Sequence, residues 1–211
     1  DPTRKIPSNC LLRGIPGDYT RLTAEVEWRR SFTDSIGQIF TPFASLRGDV
    51  ISANIDNQPG VSNYLPVGST QTARLMPTVG LEYRYPFINV QPWGTTTIEP
   101  IGQLIIRPNE PSAGRLPNED AQSFTFDDSN LFRVDKFSGY DRVEGGGRAN
   151  VGVQATTQFD RGGSINVLFG QSYQLFGLNS FAVQDLTNTG IGSGLETARS
   201  DYVGRTAYQP N

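Results

Sequence analysis

The residues able to do chemistry are few. The 211-residue chain contains no histidine and one cysteine, Cys10. Without imidazole, no Ser-His-Asp triad, histidine-ligated zinc centre or histidine general base can be assembled. Cys10 lacks the second thiol that a disulfide, redox or metal motif within the chain would need. The remaining acids of interest are Glu119-Asp120 and Asp127-Asp128, candidates for a carboxylate-based, soluble β-sheet carbohydrate-active enzyme. Such a pair needs about 5 to 9.5 Å between carboxyl groups held in distinct environments, whereas adjacent loop acids more often form turns, cap helices or hold divalent ions. The Gly145-Gly146-Gly147 run is no phosphate cradle, because neither Lys-Ser/Thr nor a helix follows it. We therefore expect no catalytic residue, no cofactor and no metal.

These acids sit in one stretch, 108–147, and its composition is unlike the rest. It runs Asn118-Glu119-Asp120, then Phe124-Thr125-Phe126-Asp127-Asp128-Ser129-Asn130-Leu131-Phe132, then Phe137-Ser138-Gly139-Tyr140-Asp141-Arg142-Val143-Glu144-Gly145-Gly146-Gly147-Arg148. A structureless loop of some 40 residues is unusual in a compact domain, and four phenylalanines in it (Phe124, Phe126, Phe132, Phe137) predict that it folds down as an ordered lid or lumen insert. Asp127, Asp128, Asn130, Phe132, Asp141, Arg142, Glu144 and Arg148 are the candidates for a latch between loop and wall. Gly139 and the triplet at 145–147 suit positive φ where the chain re-enters a strand.

The elements that must carry this loop are strands. Leu22, Ala24, Val26 and Trp28 alternate with Arg21, Thr23, Glu25, Glu27 and Arg29, the period of a half-buried strand. The same period recurs at 73–85 and 148–159, and more weakly at 40–50, 96–107, 164–175 and 201–208. Seven strands fit, each near the roughly 9 to 11 residues of a tilted membrane strand or slightly longer. Their connections alternate in length: 31–37 short, 51–72 long, 86–95 fairly short, 108–147 very long, 160–163 a tight turn, 176–200 long. An up-and-down antiparallel meander puts successive turns on opposite rims, and outer-membrane barrels pair short turns on one rim with long loops on the other. Tyr19, Trp28, Tyr83, Tyr85, Phe159, Tyr173, Tyr202 and Tyr208 lie near strand ends, where amphipathic rings favour the headgroup level. The fold class expected is all-β, an antiparallel meander forming part of a large transmembrane β-barrel. The whole of 1–211 then reads as one partial barrel domain.

Composition agrees. There are 18 basic and 21 acidic side chains, a net charge of -3 and 36% hydrophobic residues, with no apolar run long enough for a spanning helix and no basic footprint for nucleic acid. With 23 glycines and 14 prolines, a bundle of long helices is excluded. Pro42, Pro77 and Pro100 fall within expected strands. Each removes a ladder donor and so calls for a bulge, a strand edge or an open seam; together they are candidates for a weakened stretch of wall. The polar face (Arg21, Glu25, Glu27, Arg29, Arg74, Glu82, Arg84, Asn150, Gln154) is assigned to the lumen. Its mixed charge would keep a wide lumen wet without binding one sign of solute tightly.

The runs Asn118-Glu119-Asp120, Phe126-Asp127-Asp128, Asn130-Leu131-Phe132 and Phe137 to Arg148 resemble the LptD family, the lipopolysaccharide-assembly (organic solvent tolerance, OstA) proteins of the Gram-negative outer membrane. The resemblance implies a large barrel that receives lipopolysaccharide from an LptA-like periplasmic bridge through an N-terminal jelly-roll domain. An LptE-like lipoprotein plugs the lumen, and the cargo is inserted into the outer leaflet through a lateral opening. The chain starts without an initiator Met and stops inside an alternating stretch, so it reads as the middle of such a barrel, without the jelly roll and the remaining strands. Family members carry disulfides between jelly roll and barrel, to which Cys10 has no matched position. The alternative from the barrel pattern alone is an outer-membrane porin or small-solute channel with 108–147 as its constriction loop.

Overall fold

A computed structural model describes residues 15–58, 61–122 and 124–210. Cys10 lies outside them. The elements are β1 (Gly17–Arg29), β2 (Phe32–Thr33), β3 (Ile39–Ile55), a 3-10 turn (Val61–Asn63), β4 (Gly68–Arg84), β5 (Phe87–Gln91), β6 (Gly94–Ile106), β7 (Gly147–Phe159), β8 (Ser164–Phe176) and β9 (Val203–Gln209). The nine strands of the described residues form one antiparallel sheet. The seven longer ones follow in the order β1-β3-β4-β6-β7-β8-β9, while β2 and β5 extend the hairpins at β3 and β6. This is the expected meander.

Two strands are longer than their alternation suggested. β3 continues through Ile55 and β4 begins at Gly68, so the expected 51–72 loop shrinks to 56–67. The reason lies in the upper rungs. Ser52, Asn54, Ser69 and Gln71 point outward and are exposed, so these segments lack the apolar outer row that marks the lower strand.

One face of the sheet is bare and oily. Leu22 (73% exposed), Val26 (67%), Leu46, Val50, Leu75 (64%), Val79, Leu81, Leu104, Ile106, Val151, Val153, Val167 and Phe169 all stand exposed on it. On β4 the oily row runs from Ala73 to Tyr83. Ten steps of about 3.4 Å, tilted by about 40°, give a band about 25 Å tall, the height of the apolar band of an outer-membrane barrel. Above it stand Ser69, Gln71, Ser52 and Asn54; at its lower edge lie Trp28, Tyr83, Trp93, Phe159 and Tyr208. Tyr19 departs from the expected aromatic rim. It lies on the opposite face, where its hydroxyl donates to Asp141 Oδ1 at 2.6 Å.

The opposite face is covered over its upper half by three loops, 56–67, 107–146 and 177–202. Phe126, Leu131, Phe137, Phe181, Leu195 and Val203 are buried together, with Phe124 and Phe132 packed against them. Phe137 stacks on Phe181 at 4.5 Å between centroids. A second cluster, Ala53, Ile55, Val61, Leu65 and Leu186, joins the tops of β3 and the 177–202 loop. At about 1.5 to 3 kcal/mol for each large apolar side chain buried, these clusters hold the loops down as an ordered insert. β6 is apolar on both faces for the same reason: Ile101 and Ile105 are buried toward the loops, while Leu104 and Ile106 face outward.

The three prolines need no bulge. Pro42 O accepts from Arg30 N and Pro100 O accepts from Tyr85 N, so each proline nitrogen points to the side where the neighbouring ladder has just ended, at Arg29↔Phe43 and Arg84↔Ile101. By alternation from Tyr85, Pro77 points toward β6 beyond the last pair, Val79↔Ile106. The missing donors fall on strand margins, where proline is tolerated. Pro77 and Pro100 thus bracket the six-pair β4–β6 ladder, which is far shorter than the 17-pair β3–β4 ladder.

Candidate functional site

The chemistry-bearing side chains converge where the 107–146 loop meets the wall. Register places Arg21, Glu25, Glu27, Arg29, Arg74, Glu82, Arg84, Asn150 and Gln154 all on the loop-covered face. Their partners divide them into groups.

The first group is a guanidinium cluster on β1, β3 and β4. Arg74 Nε donates to Asp49 Oδ2 at 2.8 Å, and its other nitrogens donate to the Asp141 and Tyr140 carbonyls at 3.0 and 2.8 Å. Glu110 lies 3.7 Å from Arg74. Arg47 binds Asp49 and also donates to the Tyr140 carbonyl. Arg21 pairs with both Asp141 and Asp120. The two loop acids are interlocked: Asp141 Oδ2 accepts from the amides of Glu119 (2.7 Å) and Asp120 (3.1 Å), while Asp120 accepts from those of Tyr140 (2.7 Å) and Asp141 (2.9 Å). Burial raises the Asp120 carboxyl, but the amides of Asp141 and Tyr140 and the nearby Arg21 outweigh it and hold the group below its usual range. Burial also raises Glu110, and Arg74 only partly offsets this. Gly139 adopts φ +71° here, and a Cβ would lie 2.4 Å from the Asp120 carboxyl carbon, so this turn requires glycine.

A second group lies under the C-terminal part of the loop. Glu144 pairs with Arg148, and Arg107 approaches it at 3.8 Å. Arg107 also donates to the carbonyls of Glu144 and Val134 and to Thr78 Oγ1. Lys136, 1% exposed, donates to Asn150 Oδ1 at 3.2 Å. Asn150 in turn donates to Gln103 and accepts from Ser172. Burial drives Lys136 down to about 8. Glu144 is lowered despite its burial, because Arg148, Lys136 and Arg107 surround it. Within the glycine triplet, Gly146 alone takes positive φ (+79°).

The third group, Arg29, Glu82, Arg84 and Glu99, forms an ion-paired ladder below the loops. Glu25, Glu27 and Gln154 join none of these networks among the described residues.

The expected latch residues separate by what they touch. Asp141 and the Glu144–Arg148 pair bind loop to wall; Asp128 pairs with Arg205 of β9 at 3.2 Å. The Phe132 carbonyl accepts from Gln103 Nε2 on β6. Arg142 instead ties two loops together through Asp185 and the Ser180 carbonyl. Asp127 and Asn130 close a local turn with Ser129 and Thr125. Arg47, Asp49, Arg107, Glu110 and Lys136 were not singled out in the sequence. Arg47 and Asp49 lie on the polar row of their strand, but only the register against Arg74 brings them together.

The four acids considered for glycoside hydrolysis have other duties. Asp120 is interlocked with Asp141, Asp127 caps a turn, Asp128 pairs with Arg205, and exposed Glu119 offers its amide to Asp141. Among the described residues, no group of His, Cys, Asp or Glu is placed to hold a metal ion.

Residues 4–211 match the family LptD, LPS transport system D. The chain belongs to the LptD family. The match spans both the bare oily face and the loop insert, and it associates the chain with lipopolysaccharide transport at the outer membrane. No match to the chain was found among curated proteins. The motif runs that resemble LptD now have structural roles: Asn118 bonds Ala121, Thr187 and Thr189, Asp120 and Asp141 interlock, and Glu144 and Arg148 fix the end of the insert. Among the described residues, no helix is long and apolar enough to cross a membrane.

Proposed function

We propose that the sheet is a sector of wall in a larger outer-membrane barrel that inserts lipopolysaccharide into the outer leaflet. It acts as a conduit, without catalysis. The observation that carries this reading is the about 25 Å oily band on one face, backed on the other face by a mixed-charge wall and an ion-paired insert, in a chain of the LptD family. On this reading the polar face is the lumen, and the open ladder Arg29-Glu82-Arg84-Glu99 lines its lower vestibule on the short-turn side. Both signs of charge let a phosphorylated sugar pass without tight capture. An LptE-like lipoprotein would occupy that vestibule, and an LptA-like bridge would deliver cargo through a jelly-roll domain beyond this chain.

The test is purification of the full-length product from outer membranes in detergent. A co-purifying lipoprotein and loss of surface lipopolysaccharide on depletion are expected. Stable solute conductance with no bound plug, and unchanged surface lipopolysaccharide, would instead identify a porin and overturn the reading.

A further inference from the structure

The β4–β6 ladder stops at Val79, but β4 continues upward for eleven more residues to Gly68. On that stretch the backbone groups of Ser69, Gln71, Ala73 and Leu75 point away from β3, and no strand pairs with them among the described residues. A cleft of about 540 Å³ lies against this stretch, on the loop-covered face.

Its chemistry is selective. Thr70 and Thr72 of β4 form one wall, Ser62, Asn63 and Tyr64 a second, and Ser112 and Arg115 a third. Among the described residues, Arg115 is the only charged one lining it, and no carboxylate lines it. Hydroxyls, an amide and a phenol ring suit a saccharide, and a guanidinium suits a phosphate through paired N–H donors. Thr70 and Thr72 stand level with Gln71 and Ser69, just above the oily band, at headgroup height. On the bare face of the same strand, Ala73 and Leu75 border an apolar groove over Gly48, so polar and apolar surfaces adjoin across this strand.

A second polar cavity suits such a ligand less well. It measures about 260 Å³ beneath Tyr140, and there Arg47 and Arg107 are already engaged by loop carbonyls, while Glu25 and Asp135 face in beside the remaining guanidinium, Arg133.

We infer that the cleft between the free upper edge of β4 and the 111–116 segment binds the phosphorylated saccharide head of a glycolipid, with Arg115 on the phosphate. This rests on the proposed function and adds where on the wall the cargo's head is held.

The experiment places a photoreactive amino acid at Thr72, and separately at Glu27 on the vestibule wall, in the full-length protein in cells. Adducts are detected with antibody to lipopolysaccharide. An adduct at Thr72, reduced about tenfold by Arg115→Gln and largely kept by Arg115→Lys, is expected. An adduct at Glu27 with none at Thr72, or a Thr72 adduct indifferent to Arg115→Gln, overturns the cleft and leaves the conduit standing. Absence of adducts at both positions overturns both. Barrel assembly of each variant is checked by heat-modifiable migration, and Arg115 is exposed, so its replacement leaves packing intact.

Discussion

Asp120 and Asp141 each accept the backbone amides of the other's segment, and Arg21 of β1 bridges both carboxylates. The link is closed three ways: two segments of the loop are pinned to each other and both to the wall. Arg74 and Arg47 reinforce it from β4 and β3 by binding the Tyr140 carbonyl. Together these contacts tie a 40-residue insert to β1, β3 and β4, which are neighbours in the sheet.

Asp141→Asn is expected to loosen this docking by about 2 kcal/mol, since the half-buried Arg21 keeps Asp120 but loses its charge-assisted bond to Asp141. Asp128→Asn removes an ion pair whose arginine is 46% exposed and should cost less than about 1 kcal/mol. Limited proteolysis of the 107–146 segment in detergent reads the difference. Equal cleavage of the two variants would contradict the assigned latch.

Much of this was legible from alternation. Arg74 and Asn150 declare their face because each sits between outward apolar neighbours, Arg21 because Leu22, Ala24, Val26 and Trp28 alternate beside it, and the phenylalanines of the insert declare that it is packed. What alternation cannot supply is register. Arg47 and Asp49 read as ordinary polar rungs until β4 sets Arg74 beside them, and Asp120 reads as half of an acid pair until Asp141 is folded onto it. Lys136 gave no sign, because a loop lysine is normally solvated; its burial depends on Asn150 and Glu144 lying 14 and 8 residues away in sequence. The tops of β3 and β4 were missed because above the oily band the outward rows turn polar, which removes the contrast on which a strand assignment rests.

The two faces make opposite demands on charge. Val26→Arg in the full-length protein is expected to hinder membrane assembly by about 2 to 4 kcal/mol, the cost of a cation near the bilayer midplane. Glu27→Arg, on the other face and outside the ion-pair networks, should be nearly silent. Outer-membrane yield of folded protein is the measurement, and similar yields would refute the face assignment.

Lys136 gives a pH dependence with a definite sign. Its folded value of about 8 lies below the ordinary 10.5 because burial disfavours the ammonium. Between these values the undocked loop binds more protons than the docked one, so docking strengthens as pH rises from about 8 to about 10.5, by up to about 3 kcal/mol. Protease protection of the insert should increase over that window in the native protein and stay flat in Lys136→Met. A fall in native protection across the same window would contradict the buried placement of Lys136.

The seam between β4 and β6 should be the part of the wall that opens most readily. It has six pairs bracketed by Pro77 and Pro100, against 17 on the other side of β4. By alternation, the amides of Leu81 and Tyr83 point into this seam, while those of Leu75's neighbours Arg74 and Met76 point into the β3–β4 ladder. Local opening needs only the bonds of the seam to break, so Leu81 and Tyr83 are expected to exchange hydrogen at least about tenfold faster than Arg74 and Met76. Pro77→Ala adds a donor beyond the ladder's end, where no strand accepts it, so it should leave that ratio unchanged. Uniform protection across β4 would show that the short ladder is no weaker than the long one.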